Sequence, residues 1–429
     1  MKTQRPFIKP SIVKSIAIAA VLLIFIAFQK VQKQKISTSK LKKVTAKEIL
    51  GNPNYLAISY GGYRKTSRDI QPTITQIKQD LLILSALKIK VIRTYNVHLT
   101  EVVTILNAIE SLKKENNNFE MYVMLGAWID CQNAWTSEEP NHLIESEKNA
   151  TEIDVAVKLA NQYPQIIKII AVGNEAMVKW ATSYYVQPSV ILKWVTYLQN
   201  LKKTNALPKD LWITSSDDFA SWGGAEDSYK TKDLEALINA VDYVSMHTYP
   251  YHNSHYNPNF WQSPNTENQL SELEKVHAAI NRSVEFAKMQ YYTVKNYVKS
   301  INPSKPVHIG ETGWASSSDG FYGDGGSKAS DEYKQALYYN LMRNWTNHDH
   351  ISCFFFEAFD EVWKDSSNPN GSENHFGLFT VTGQAKYVFW DNVDHNLFKK
   401  LKRDGAPITK TFDGNKLRIL KTVQSPPIQ

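Results

Sequence analysis

Between Tyr55 and Phe356 the chain alternates short apolar, β-branched runs with stretches of helical period, a pattern few architectures accommodate. The strand-like runs are Tyr55–Tyr60, Lys90–Tyr95, Glu120–Ala127, Ile166–Val172, Leu211–Ser215, Tyr243–His247, Pro306–Gly310 and Ile351–Phe356. Helical periods fill the gaps over Thr73–Leu87, Leu99–Lys114, Glu147–Gln162, Gln187–Thr204, Leu270–Ser300 and Ala329–Asn347. Eight strands in this alternation predict an α/β fold of the (β/α)8 or TIM-barrel type. A doubly wound sheet is the alternative. It calls for a glycine-rich phosphate loop after the first strand, and Gly61-Gly62-Tyr63 lacks the spacing.

Two of the runs end in a glutamate beside turn residues. Ile166–Val172 leads into Gly173-Asn174-Glu175, and Pro306–Ile309 into Gly310-Glu311-Thr312-Gly313-Trp314. In a barrel of this kind the chemistry sits at the C-terminal ends of the strands, so Glu175 follows strand 4 and Glu311 closes strand 7. Two such carboxylates suit glycosidic hydrolysis, in which one carboxylic acid protonates the leaving oxygen while a carboxylate attacks or activates water.

The wording around these glutamates resembles glycoside hydrolase family 17, the β-1,3-glucanase family. The matching segments are VGNE at Val172–Glu175, GETGW at Gly310–Trp314, and FFFEAFDEVWK at Phe354–Lys364 followed by HFGLF at His375–Phe379. The resemblance extends from about Tyr55 to Trp390 and implies a retaining mechanism, with Glu175 as acid/base and Glu311 as nucleophile. It also implies that Asn174 bonds the sugar 2-hydroxyl. The implied activity is that of an endo-β-1,3-glucanase acting on laminarin-like polymers. A β-1,3-glucan transglycosylase shares the same covalent intermediate, and a non-catalytic glucan-binding barrel is the reading from outside enzymology. The presence of both carboxylates argues against the last.

Position along the strands nominates further residues. Arg93 at the end of strand 2 and Tyr249 past strand 6 are placed to hold Glu311 ionised and aimed. Tyr60 and Tyr95 are candidates to line the subsite that binds the departing sugar. Glu357 is expected in the cleft, with Asp360 and Glu361 behind it, as acceptors for sugar hydroxyls. Trp314 is expected to shield a sugar face. Trp128, Trp135, Trp222 and Trp363 are candidates for outer subsites. His247 and His308 are isolated near strand ends and read as structural, with no metal site and no cofactor implied. No Gly-x-Ser-x-Gly elbow supports serine chemistry.

Charge narrows the partners. The net charge of +7 belongs to residues 1–43, which hold ten of the 49 basic residues and no acid, leaving 39 basic against 42 acidic beyond them. The folded body is therefore no nucleic-acid binder. Ile12–Phe28 is apolar apart from Lys14 and Ser15. It reads as an uncleaved signal anchor, or else a signal peptide, placing an exported, membrane-anchored catalytic domain outside the cytoplasm. The expected divisions are 1–28 for that segment, 29–50 for a lysine-rich stalk, 51–402 for the barrel and 403–429 for a C-terminal hairpin and tail. Within these, Lys386–Lys400 reads as the closing helix and Ile408–Leu420 as a hairpin around Asp413-Gly414-Asn415. Cys131 and Cys353 show no spacing of a metal site or disulfide framework and read as reduced. The protein is expected to act as a monomer on β-1,3-glucan.

Overall fold

Eight parallel strands close into a barrel in which each is hydrogen-bonded to its sequence neighbours and the first pairs with the last. They are β1 (Leu56–Ser59), β2 (Ile89–Arg93), β3 (Tyr122–Ala127), β4 (Ile167–Asn174), β5 (Trp212–Asp218), β6 (Val244–His247), β7 (Val307–Gly313) and β8 (Cys353–Phe356). The computed structural model describes residues 44–429, and Thr45–Gln429 forms one unit. The expected anchor at Ile12–Phe28 and most of the stalk lie outside the described residues. Among those that are described, no helix is long and apolar enough to cross a membrane.

The outer ring consists of α1 (Ile74–Ala86), α2 (Glu101–Glu115), α3 (Lys148–Gln162), α4 (Pro188–Lys203), α5 (Lys232–Ala240), α6 (Glu272–Ile301) and α7 (Glu332–His348). Several starts are written in the sequence. Thr73 and Gln76 form a capping box at α1, as Ser271 and Glu274 do at α6, and Pro188 opens α4 where its missing N–H costs nothing. The strands are buried on both faces, between helices and the filled interior, which explains why they read as continuous apolar runs rather than alternating ones.

Four parts differ from the sequence expectation. The closing helix over 386–400 reduces to a 3-10 turn, Tyr387–Phe389, and five helical residues, Trp390–Asp394. The expected hairpin over Ile408–Leu420 is instead a helix at Lys416–Thr422, capped by Asn415, and the terminal two-stranded pairing is Lys402–Arg403 with Ala406–Pro407 around Asp404-Gly405. Ala46–Ile49, assigned to the stalk, is a capping-boxed helical turn that buries Ala46 and Ile49. A short hairpin after β3, Cys131–Gln132 with Asn141–Glu145, had no clear alternation to announce it. Both cysteines are buried and free.

Candidate active site

The two glutamates are aimed by the way their strands end. At β4 the chain turns through Gly173 (φ +80°) and Glu175 (φ +47°). A side chain on Gly173 would meet Ala176 Cβ at 2.9 Å and would be strained at that φ, so glycine is required there. Glu175 N–H donates to the Ser216 carbonyl on β5 (3.0 Å), and Asp217 accepts the Met177 N–H (2.7 Å), which fixes the segment after the acid. At β7 the backbone under Glu311 needs Gly310, because a Cβ would sit 2.0 Å from Ser245 Oγ.

Glu311 is surrounded by donors. Its Oε2 accepts from Arg93 Nη1 (2.5 Å) and the Tyr95 hydroxyl (2.6 Å), and its Oε1 from the Tyr249 hydroxyl (2.7 Å). Arg93 Nη1 also donates to the Gly310 carbonyl, and Nη2 donates to Asn174 Oδ1 (2.6 Å). An amide facing a guanidinium must present its oxygen, so the Asn174 NH2 remains the group available to a sugar hydroxyl. Arg93 and Tyr249 thus meet Glu311 as their positions along the strands suggest, and Tyr95, nominated for a sugar subsite, bonds Glu311 as well.

Glu175 has the opposite surroundings. Its Oε1 lies 2.8 Å from His247 Nδ1, whose Nε2 contacts Ser216 Oγ (2.8 Å). Burial first, then the charge of Glu311, pushes the Glu175 carboxyl up to about 8, against the pull of Arg93. For Glu311 burial also works upward. It is outweighed by the Arg93 charge and the two tyrosine hydroxyls, so its carboxyl ends below the ordinary value. Burial lowers His247 to about 4, leaving it neutral beside a protonated Glu175 at neutral pH. One carboxyl is therefore a proton donor and the other a stable anion. His247 is a correction to the sequence reading of an isolated residue: from β6, two strands along the barrel from β4, it bonds and orients Glu175, and only that partner reveals it. Asp217 and Asp218, both raised to about 7 chiefly by burial, complete the acidic side and carried no motif of their own.

Oxygens of Glu175 and Glu311 and a ring nitrogen of His247 lie within 4.8 Å of one another. Two carboxyls with oxygens this close suit the retaining arrangement, in which the groups stand roughly 5–5.5 Å apart. The same three groups are the set that could hold a metal ion among the described residues. Both Glu311 oxygens, however, are already engaged by Arg93 and the tyrosines, and the guanidinium supplies the compensating positive charge.

Glu311 opens into a cavity of about 970 Å³. Phe356 forms part of its wall, set edge-on to both Tyr95 and Tyr249 with Lys364 Nζ 3.9 Å above its ring. The sequence reading passed over Phe356 because a phenylalanine in FFF looks like core. Trp128, Trp135, Trp363 and Glu361 also line the cavity, and Glu361 is held there by the Tyr63 N–H and the Trp363 indole.

Other nominated residues are placed differently. Trp314 is fully buried, packs on Tyr251, Trp261 and Tyr338, and donates its indole N–H to the Ala329 carbonyl. It lies behind the nucleophile strand rather than against substrate, because side chains alternate in direction along the chain after Glu311. Glu357 is 2 % exposed and bonded to Lys364 Nζ (2.7 Å), with its carboxyl pushed up by burial. Asp360 pairs with Lys386. Tyr60 turns its hydroxyl to Asp80 (2.9 Å) and leaves 1 % of its surface at the cavity wall. Trp222 is core, bonded to the Ser245 carbonyl, and His308 accepts the Ser352 N–H in a structural role.

A closed (β/α)8 barrel with a protonated and an ionised glutamate facing each other at its mouth defines a glycoside hydrolase. The chain belongs to the BtgE/BtgC glycoside hydrolase domain family, whose model matches residues 57–377, in agreement with the family 17 resemblance of its motifs. A solved endo-laminarinase from Formosa is 60% identical, covering 90% of this chain and 98% of its own, with a TM-score of 0.89. A Rhizomucor miehei glycoside hydrolase family 17 β-1,3-glucanosyltransferase, 16% identical over 83% of this chain and 98% of its own, shares the fold with a TM-score of 0.52. A probable glucan endo-1,3-beta-glucosidase of Aspergillus terreus is 23% identical over 79% of this chain and 46% of its own length. The match to a Schizosaccharomyces pombe glucan 1,3-beta-glucosidase likewise covers 45% of that protein, so the chain spans about half the length of either relative.

Proposed function

We propose that this chain is a retaining endo-β-1,3-glucanase. The observation that carries the retaining chemistry is the pair itself: Glu175 and Glu311 oxygens within 4.8 Å, with the first carboxyl held protonated and the second ionised. Glu311 attacks the anomeric carbon while Glu175 gives its proton to the leaving oxygen. Once the charge on Glu311 is consumed in the glycosyl bond, one cause of the raised Glu175 value disappears, and Glu175 becomes the base that activates water. The substrate assignment draws on the likeness to the Formosa endo-laminarinase, which extends over 98% of that chain.

The test is laminari-oligosaccharides of defined length followed by NMR from the first turnover. Release of β-anomer with internal cleavage is the expected result. Initial α-anomer overturns retention, products longer than the substrate indicate transfer to sugar in place of water, and no cleavage overturns the substrate. We further propose that Ile12–Phe28 tethers the catalytic body outside the cytoplasm. Full-length protein should then stay with membranes through alkaline carbonate, whereas a mature chain starting after Phe28 would identify a cleaved signal.

A further inference from the structure

The cavity at Glu311 also takes in the loop after β3, where Trp128 and Trp135 form part of its wall. In the closed strand order β3 stands across the mouth from β7, so a ligand reaching from Glu311 to Trp135 crosses the top of the barrel. Trp135 is 62 % exposed, at positive φ (+63°), in a turn fixed by Asn133, whose carbonyl accepts the Thr136 N–H and whose side-chain amide donates to the Glu139 carbonyl. Its ring lies on Tyr184, centroids 5.0 Å apart and 21° from parallel. Folding gains little from a solvent-exposed indole in a left-handed turn, and such a ring backed on one face is a platform for an apolar face of a ligand.

The support beneath it is rigid. The buried Glu152 accepts the N–H groups of Val97 (2.6 Å) and Trp128 (3.0 Å), tying the loops after β2 and β3 to α3. The hairpin that carries Trp135 is held at Glu145 by the Trp194 indole (2.6 Å). The cavity wall includes the nucleophile, Glu311, and Asn174, but not Glu175. Glucosyl units lying between Glu311 and Trp135 are assigned to the glycone side, where they stay bonded to Glu311, and the label pattern below distinguishes this from the leaving-group side.

We propose that Trp135 stacks on a remote glycone-side glucosyl unit and so sets how much chain the enzyme requires on that side. The proposal rests on the β-1,3-glucanase reading and deepens it. The experiment uses the full chain with a reducing-end-labelled β-1,3-linked hexasaccharide and the corresponding trisaccharide. In Trp135→Ala the ratio of kcat/KM between hexa- and trisaccharide should fall about tenfold, the size of one lost contact of this kind. Labelled fragments should lengthen, as cleavage no longer favours a long glycone. Trp135→Phe should restore much of the ratio. Leu143→Ala, 79 % exposed on the same hairpin and not part of the cavity wall, should leave both readouts as in the parent. Unchanged ratio and label pattern in Trp135→Ala overturn the proposal, as does a shift toward shorter labelled fragments, which would place the ring on the leaving-group side. An equal effect in Leu143→Ala would show a disturbed hairpin instead. An unmodified enzyme inert on the hexasaccharide would overturn the glucanase reading itself.

Discussion

Arg93 reaches Glu311 from inside the barrel, with Nη1 2.5 Å from Oε2, and the other arm of the same guanidinium fixes Asn174 at 2.6 Å. One rigid fork thus orients the nucleophile at β7 and the amide beside the acid at β4. It also answers an electrostatic problem, because burial alone would drive Glu311 toward its neutral, unreactive form.

Arg93→Lys keeps a positive charge but cannot span both partners, since an ammonium is a point donor and the guanidinium a planar fork. We expect kcat/KM to fall on the order of 10²-fold, the usual cost of a lost preorganised donor. Arg93→Met also removes the charge that holds the Glu311 carboxyl down. The acidic limb of the pH profile should therefore move to higher pH in Arg93→Met and much less in Arg93→Lys. Folded protein in both cases, verified by circular dichroism, with coincident acidic limbs would sink this account.

Trp314 carries a prediction opposite to the one its position after the nucleophile suggests. Because the ring is enclosed and its N–H is bonded to Ala329, Trp314→Ala should cost about 3–5 kcal/mol of stability in chemical denaturation. The surviving folded fraction should bind laminari-oligosaccharides almost as the parent does. Weak binding with undiminished stability would return the ring to the cleft.

The barrel and the two facing carboxylates were legible because they rest on local signals: apolar runs of strand length, and a glutamate with a turn glycine where two of them end. What escaped is set by contacts between distant strands. His247 looks like any buried histidine until β4 brings Glu175 to its Nδ1, and Phe356 looks like core until Tyr95 and Tyr249 meet its edges. Glu357 and Asp360 turn inward, and Tyr60 keeps a place on the cavity wall with its hydroxyl turned away, for the converse reason. Lys364 takes one Glu357 oxygen, Lys386 one Asp360 oxygen, and Asp80 the Tyr60 hydroxyl. Trp314 shows that adjacency to a nucleophile fixes position along a strand but not the side on which the ring falls.

Asp80 supports the wall of the site from a fully buried position. It takes Arg403 Nε (3.0 Å) and Arg64 Nη2 (2.8 Å) on Oδ1, and the Tyr60 hydroxyl on Oδ2, joining α1, the loop after β1 and the C-terminal pairing. Asp80→Ala leaves buried arginine charge uncompensated and should cost about 3–5 kcal/mol. Asp80→Ala with Arg403→Met should be less destabilised than the sum of the single changes, as expected for groups sharing one network. Additive losses in urea melts would show that the C-terminal pairing is not held by this carboxylate.

The roles of the pair separate in two successive steps. Glu311→Gln removes the nucleophile, so no glycosyl-enzyme forms and activity is lost whatever the leaving group. Glu175→Gln removes only proton transfer. An aryl β-glucoside with a good leaving group should still glycosylate Glu311, and the intermediate should accumulate and be seen by mass spectrometry as one added glycosyl group. Azide needs no general base and should restore turnover, giving a β-glycosyl azide from Glu175→Gln, while any azide product of Glu311→Gln should be α. The pH profile supplies an independent check. With Glu175 raised to about 8 by burial and by Glu311, kcat/KM of the unmodified enzyme should hold as pH rises through neutrality and fall near 8, where the acid gives up its proton. That basic limb belongs to Glu175 and should vanish when Glu175→Gln is assayed with azide and the activated substrate. Persistence of the limb would assign it to another group, identical azide responses in the two variants would sink the assignment of roles, and exchanged responses would reverse it.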